Sequence, residues 1–270
     1  MRILFLGNNW VAWQILTWLR NRGEKIVGLV VHPAEHRKYG TEIIQAAGVD
    51  ASFIFDGSRL HEAELVQKIK TLQPDIGISA LFGYILRREV LDVFPSGCIN
   101  VHPAFLPYNR GAYPNVWSIV EGTPAGATIH YVDEGVDTGD IVGQQGLIIE
   151  PVDTGATLYE KLCHLCFELF KQTWPLIQNG QILRKPQAEA STCHRARDVM
   201  QIDEIDLDRS YTARNLINIL RARTFPPYPG AFFMHGNRKV YLRLQLYFND
   251  SSAVSSENEE QPGSTKEATL

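Results

Sequence analysis

The sequence predicts an α/β protein: a doubly wound, mostly parallel sheet with a small α+β module at the carboxyl end. Three observations predict it. Short apolar runs recur through the first half of the chain, and one of them, Lys25-Ile26-Val27-Gly28-Leu29-Val30-Val31, is apolar on both faces, as a strand buried between two helical layers must be. Segments with helical spacing of apolar residues alternate with these runs, which is the pattern of parallel strands joined by crossover helices. From 180 to 205 the periodicity lapses, and a shorter helix and a closing strand follow.

The elements can be taken in order. Arg2-Ile3-Leu4-Phe5-Leu6 is a short strand running into Gly7-Asn8-Asn9, with an amphipathic helix from about Trp10 to Asn21 closed by Gly23. A strand, a glycine turn and a helix start offer backbone N–H groups to an anion. The dinucleotide fingerprint is absent, because only Gly7 stands where three glycines are needed. The second strand ends at His32-Pro33, and His36-Arg37-Lys38-Tyr39 forms a polar cluster at the sheet's carboxyl edge. Ligands of open α/β sheets sit at that edge. His32 and Lys38 are placed either to meet a phosphate or sugar hydroxyl or to form a solvated loop. A short helix over Glu42–Ala47, an edge strand over Ala51–Ile54 and a helix over Leu60–Leu72 come next. Asp75–Ala80 reads as a buried strand, continued by the apolar stretch Leu81-Phe82-Gly83-Tyr84-Ile85-Leu86, and a helix begins at Arg87 and ends before Pro95.

Cys98-Ile99-Asn100-Val101-His102 is a strand stopped by Pro103, since proline cannot extend a ladder. Residues two apart on a strand share a face, so Asn100 and His102 project together, roughly 6.6 Å apart. Thr128–Val132 and Ile141–Ile149 alternate as strands around a glycine-bearing loop that carries Asp137. His130 shares a face with Thr128 and is expected to support the site. A helix over Leu158–Gln178 covers the sheet, and Cys163-His164-Leu165-Cys166 belongs to its apolar face, because no second ligand pair follows at zinc-site spacing. Ser210–Arg221 is helical and Lys239–Leu244 a closing strand.

An amide, an imidazole and a carboxylate suit acyl transfer without a covalent enzyme intermediate. Neutral imidazole can take a proton from an amine nucleophile, and an amide N–H can hold the oxyanion of a tetrahedral intermediate. The carboxylate raises the basicity of the imidazole. A pair of satisfied polar groups at a strand end fits the same spacing.

Composition narrows the class. The chain has 270 residues, 44% of them hydrophobic, and a formal net charge of −4. Four glutamates and one lysine beyond residue 250 account for −3 of it, leaving −1 for the body. Such a body lacks the field that collects a polyanion such as tRNA. The amino-terminal apolar run is interrupted by Gly7-Asn8-Asn9 and lacks a cleavage site, no span of about 18 apolar residues occurs, and the four cysteines lack a disulfide spacing. A cytoplasmic protein without membrane, metal or nucleic-acid partners is expected.

The block Asn100-x-His102, Leu106-Pro107, Asn109-Arg110-Gly111, Pro114-x-x-Trp117, Gly126-x-Thr128-Ile129-His130 and Asp137-Thr138-Gly139-Asp140-Ile141 resembles the folate-dependent formyltransferase superfamily, over about residues 1–245. The resemblance implies a Rossmann-like formyltransferase fold, 10-formyltetrahydrofolate as formyl donor, and a catalytic set at Asn100, His102 and Asp137. It implies that Phe82, Gly83, Tyr84, Ile85, Leu86 and Asp133 hold the folate. Asn109–Asn115 and the Arg221–Phe233 segment look most like the nucleotide-sugar N-formyltransferases, of the pseudaminic-acid-pathway type in particular. Asn8, Asn9, Trp10, Lys38, Arg110, Tyr113, Phe225 and Tyr228 are then candidate substrate contacts. For Asn9 capping of the helix is the alternative, and for Phe225 and Tyr228 it is packing of the small module.

The expected organisation is a catalytic domain over 1–185, a small module over 186–250 and a disordered tail over 251–270. The expected activity is formylation of a UDP- or dTDP-linked 4-amino-4,6-dideoxy sugar, a step of cell-surface glycan biosynthesis, by a homodimer. Methionyl-tRNA formylation is the nearest rival, although residues 186–250 carry nine Lys/Arg against seven Asp/Glu where that class usually has a basic domain. Formylation of a carrier-bound amino acid and a non-catalytic ligand-binding module are the others.

Overall fold

Strand β1 (Arg2–Gly7) shows how the sequence builds the sheet. Ile3 and Phe5 point to one face and Leu4 and Leu6 to the other, and all four are completely buried. A strand with two apolar faces needs a helical layer on each. The computed structural model describes residues 1–249, so the tail expected to be disordered lies outside the described residues.

Helix α1 (Trp10–Asn21) follows at once, capped by Asn9, whose side chain accepts from the N–H groups of Val11 and Ala12. Strand β2 (Lys25–Val31), helix α2 (Gly40–Ala47) and strand β3 (Ile54–Asp56) come next. The edge strand expected over Ala51–Ile54 is displaced, because the Asp50 carboxylate takes the Ser52 N–H at 2.9 Å and turns Ala51–Phe53 into one 3-10 turn. Helix α3 (Ala63–Thr71), strand β4 (Ile76–Ala80), the single-turn helix α4 (Arg88–Leu91) and strand β5 (Cys98–His102) complete the parallel part.

The two-residue strand β6 (Arg110–Gly111) precedes helix α5 (Pro114–Glu121). That helix has no counterpart in the sequence reading. Tyr113 enters it in the left-handed conformation and Pro114 takes its first position, where a missing N–H costs nothing. Strands β7 (Ala125–Tyr131) and β8 (Ile141–Leu147) lead into helix α6 (Gly155–Gln178), which buries Cys163 and Cys166 as expected of a core helix. Strand β9 (Cys193–His194), helix α7 (Ala213–Ala222) and the hairpin of β10 (Phe232–His235) with β11 (Arg238–Tyr241) follow.

The sheet has seven strands in the order β3-β2-β1-β4-β5-β7-β8. Its first five strands are parallel, and β7 and β8 run antiparallel to their neighbours. One core lies under α1 and α6, with Ile3, Phe5, Ile99, Phe170 and Trp174; the other lies under α3 and α4, with Leu4, Leu6, Ile69 and Phe82. No helix among the described residues is long and apolar enough to cross a membrane.

The stretch from 180 to 205 is more than the aperiodic linker its sequence suggests. It pairs with the domain at Ile141–Lys185 and again where β9 runs parallel to β6, Arg110 beside Cys193 and Gly111 beside His194. Such pairing is invisible to periodicity, since two residues carry no period.

Candidate active site

Strand pairing sets the site. β5 and β7 place Asn100 opposite His130 and His102 opposite Thr128, so these four side chains share one face. Asp137 comes to them from the β7–β8 loop, held in the left-handed region at φ 52. Its Oδ2 accepts the Gly111 N–H at 2.8 Å and lies 3.7 Å from His102 Nε2. Its Oδ1 lies 3.4 Å from both His130 Nε2 and Asn100 Nδ2. The structure thus brings Asn100, His102 and Asp137 together and adds His130 to them.

Hydrogen-bond directions follow from which groups can only accept. The Tyr131 carbonyl can only accept, so His130 Nδ1, 2.9 Å away, carries a proton. His130 Nε2 lies 3.2 Å from Asn100 Nδ2 and also faces the Asp137 carboxylate. Ser79 Oγ donates to Asn100 Oδ1 at 2.9 Å, so the N–H end of the amide is turned to His130 and Asp137. Both groups facing His102 Nε2, the Asn109 carbonyl at 3.5 Å and the Asp137 carboxylate, are acceptors. The neutral His102 ring therefore keeps its proton on Nε2 and its lone pair on Nδ1.

Burial lowers the pKa of His102, against the pull of Asp137, which raises it. Burial pushes the Asp137 carboxyl up, but His102, His130 and the Gly111 N–H outweigh it and hold the group well below the usual carboxylate range. A neutral imidazole beside an ionised carboxylate is the form expected near pH 7.

These groups open onto a cavity of about 880 Å³, a size that accommodates a cofactor-sized ligand together with part of a second. Phe82, Gly83, Tyr84, Ile85, Leu86 and Asp133 all line it. His32 sets this wall. Asn8 Nδ2 lies 3.2 Å from His32 Nδ1, and His32 Nε2 donates to the Phe82 carbonyl. Burial lowers the His32 pKa, consistent with a neutral ring in that relay. Backbone N–H and C=O groups of Gly83–Leu86 make no hydrogen bond among the described residues, so a polar heterocycle edge can take them.

Of the candidate substrate contacts, Asn8, Asn9, Lys38 and Tyr113 line the cavity. Both ends of the Asn8 amide are engaged, since Oδ1 takes the Lys38 N–H at 2.7 Å and Nδ2 reaches His32 and the His36 carbonyl. Asn9 caps α1 and donates to the Tyr159 hydroxyl at 3.0 Å. The two asparagines therefore fix the loop that presents Lys38. Four candidates stand elsewhere. Trp10 packs edge-on against His164 of α6, 4.6 Å between rings. Arg110 turns its guanidinium to Gln187 and Ser191. Phe225 packs on Tyr159 and Tyr228 packs on Phe225 outside the cavity lining, although Lys38 Nζ reaches within 6.0 Å of the Tyr228 ring.

Several groups at the site were missed by the sequence reading. Ser79 had a signal, a hydroxyl inside an otherwise apolar buried strand. Cys193, His194 and Arg195 close one wall of the cavity, and Gln187 ties the Asp137 loop. Nothing local in the sequence marks these, because the loop and strand they pair with lie 48 or more residues away.

The sequence model of the Formyl transferase family matches residues 1–173, and that of the N-formyltransferase dimerization C-terminal domain matches residues 198–247. The methionyl-tRNA formyltransferase of Nitrosomonas europaea is 33% identical over 266 residues, which is 94% of this chain and 80% of that protein. Among solved structures, a 4-N formyltransferase from Francisella tularensis superposes with a TM-score of 0.75 at 27% identity, covering 92% of this chain and 98% of that one. The formyltransferase PseJ from Anoxybacillus kamchatkensis, solved with UDP-4,6-dideoxy-4-formamido-L-AltNAc and tetrahydrofolate, is 28% identical with a TM-score of 0.54, covering 74% of this chain and 89% of that one.

Proposed function

The chain belongs to the formyl transferase family, and on that premise we propose that it formylates the amine of a nucleotide-linked 4-amino-4,6-dideoxy sugar. It is an enzyme of a family that uses formyl-tetrahydrofolate. The apolar cavity wall of Phe82–Leu86, with its unpaired backbone groups, fits a pterin, and Asp133 stands beside it. Bound there, 10-formyltetrahydrofolate supplies the formyl carbon that the amine attacks.

The side chains supply the rest. His102, neutral because it is buried, takes the amine proton on its free ring nitrogen. We assign the oxygen that gains negative charge to the Asn100 amide N–H end, which faces His130 and Asp137 at the cavity in the free protein. Asp137 stabilises the protonated His102 and helps return the proton to the departing folate nitrogen. Lys38 and Arg195 are the fully charged cations among the cavity-lining residues, and we assign them to the diphosphate of the nucleotide.

The observation that carries the sugar reading is the end-to-end match to the Francisella tularensis 4-N formyltransferase, 92% of one chain against 98% of the other, in a body whose charge is near zero. The ligand with which PseJ was solved supports this class of acceptor. Methionyl-tRNA is the second reading, favoured by the 33% identity to the Nitrosomonas europaea enzyme. A homodimer built on the carboxyl-terminal module is part of the proposal, supported by the match over residues 198–247. Turnover with 10-formyltetrahydrofolate, comparing UDP- and dTDP-linked 4-amino sugars with methionyl-tRNA, tests it. Formylated nucleotide sugar is the expected product; product from tRNA alone overturns the sugar reading.

A further inference from the structure

Asp137 is held at both ends by one closed circuit of contacts. Its carboxylate takes the Gly111 N–H. Its backbone carbonyl takes one N–H of the Gln187 amide at 2.8 Å, and the Gly139 carbonyl takes an N–H of the same amide, also at 2.8 Å. Gln187 Oε1 in turn accepts from Arg110 Nε at 3.0 Å and from a terminal nitrogen of Arg110 at 2.7 Å. Arg110 is the residue before Gly111, so the circuit returns to the carboxylate through one peptide unit. The third guanidinium nitrogen donates to Ser191 Oγ.

Each part is built for this and for no other visible purpose. Between 183 and 190 every residue is exposed except Gln187, which is half-buried. It does not line the cavity, and neither does Arg110. Asp137 adopts a left-handed backbone, which costs a non-glycine residue energy even where an aspartate tolerates it, and surrounding contacts hold it there. Gly139 lets the loop close, since a Cβ there would lie 1.9 Å from the Tyr131 carbonyl oxygen.

We propose that Gln187, with Arg110 as its support, is a positioning residue of the reaction: it fixes the Asp137 loop so that the carboxylate stays beside His102. The inference rests on the reading that Asp137 takes part in the proton transfer. Gln187→Glu is the informative variant, because it keeps an acceptor for Arg110 but cannot donate to either carbonyl.

The test measures kcat and KM for Gln187→Glu, Gln187→Leu, Asp137→Asn and the Gln187→Glu/Asp137→Asn pair, with 10-formyltetrahydrofolate and a UDP-linked 4-amino-4,6-dideoxy sugar, or methionyl-tRNA if only that acceptor turns over. Misplacement of a reacting group by about 1 Å costs up to about a hundredfold, so kcat should fall about tenfold or more in Gln187→Glu with both KM values within about twofold. The cost of Asp137→Asn should shrink in the Gln187→Glu background, whereas a purely structural role makes the two effects add. Wild-type kcat in Gln187→Glu, or additivity of the pair, overturns the proposal even if Gln187→Leu fails to fold. Wild-type kcat in Asp137→Asn would instead overturn the role of Asp137 itself.

Discussion

Ser79 Oγ donates to Asn100 Oδ1 at 2.9 Å across the β4–β5 pairing, in which these two residues are direct partners. That bond and the Asp137 carboxylate, an acceptor 3.4 Å from Asn100 Nδ2, together decide which way the Asn100 amide is turned. The oxyanion donor proposed for the reaction is thus oriented from both sides.

Replacing Ser79 by Ala removes one of these constraints and leaves the Asn100 amide itself in place. Loss of a direct oxyanion donor costs about a hundredfold or more, so a loosened one should cost about tenfold in kcat. Steady-state kinetics with unchanged circular dichroism checks it, and Asn100→Ala should fall at least tenfold further.

The depressed pKa of His102 sets the acid limb of activity. The base must be neutral, and burial holds its folded pKa below the ordinary value of about 6.5. Activity should therefore be level above about pH 6.5 and fall only below it. The same shift makes the unfolded chain bind the proton first. Between the two pKa values stability rises with pH, so the His102 contribution is present above about 6.5 and is lost as pH falls toward the folded value. Denaturant titrations of wild type and His102→Gln across that window should converge at low pH.

Gly111 carries φ 86, and a Cβ there would sit 2.3 Å from the His194 carbonyl oxygen. Gly111→Ala must break the β6–β9 pairing or move the N–H that holds Asp137. A left-handed non-glycine residue costs about 1–2 kcal/mol, and the clash adds to it. Thermal unfolding should show at least that loss, with kcat falling alongside.

His32→Phe keeps the ring and removes both hydrogen bonds that tie Asn8 to the Phe82 carbonyl. The loop of Phe82–Leu86 is then less well fixed, while Asn100, His102 and Asp137 are untouched. KM for 10-formyltetrahydrofolate should rise several-fold with kcat within about twofold.

The parts of this molecule that could be read from sequence are those fixed by local pattern. β1, β2 and β4 are apolar on both faces, and the same-face projection of Asn100 and His102 follows from strand geometry alone. Asp137 came into view through resemblance, since nothing in its own neighbourhood says which strand it returns to. What stayed hidden depends on contacts between distant short segments. Trp10 was expected to open the helix and also to contact substrate, yet its ring points into the α1–α6 packing. Arg110 stood next to a glycine in a cavity wall, but a half-buried amide 77 positions away takes its guanidinium. Neither direction is encoded in spacing.

The crossing segment between α6 and α7 limits how this chain can be divided and recombined. A cut at 185, where composition invites one, would leave a sheet with its apolar faces covered but would send Gln187, Cys193 and Arg195 away with the smaller piece. The larger fragment should fold and remain silent. Grafting a foreign carboxyl-terminal module at that junction would fail for the same reason, whereas a graft beyond Arg195 carries the site's far wall along with its owner.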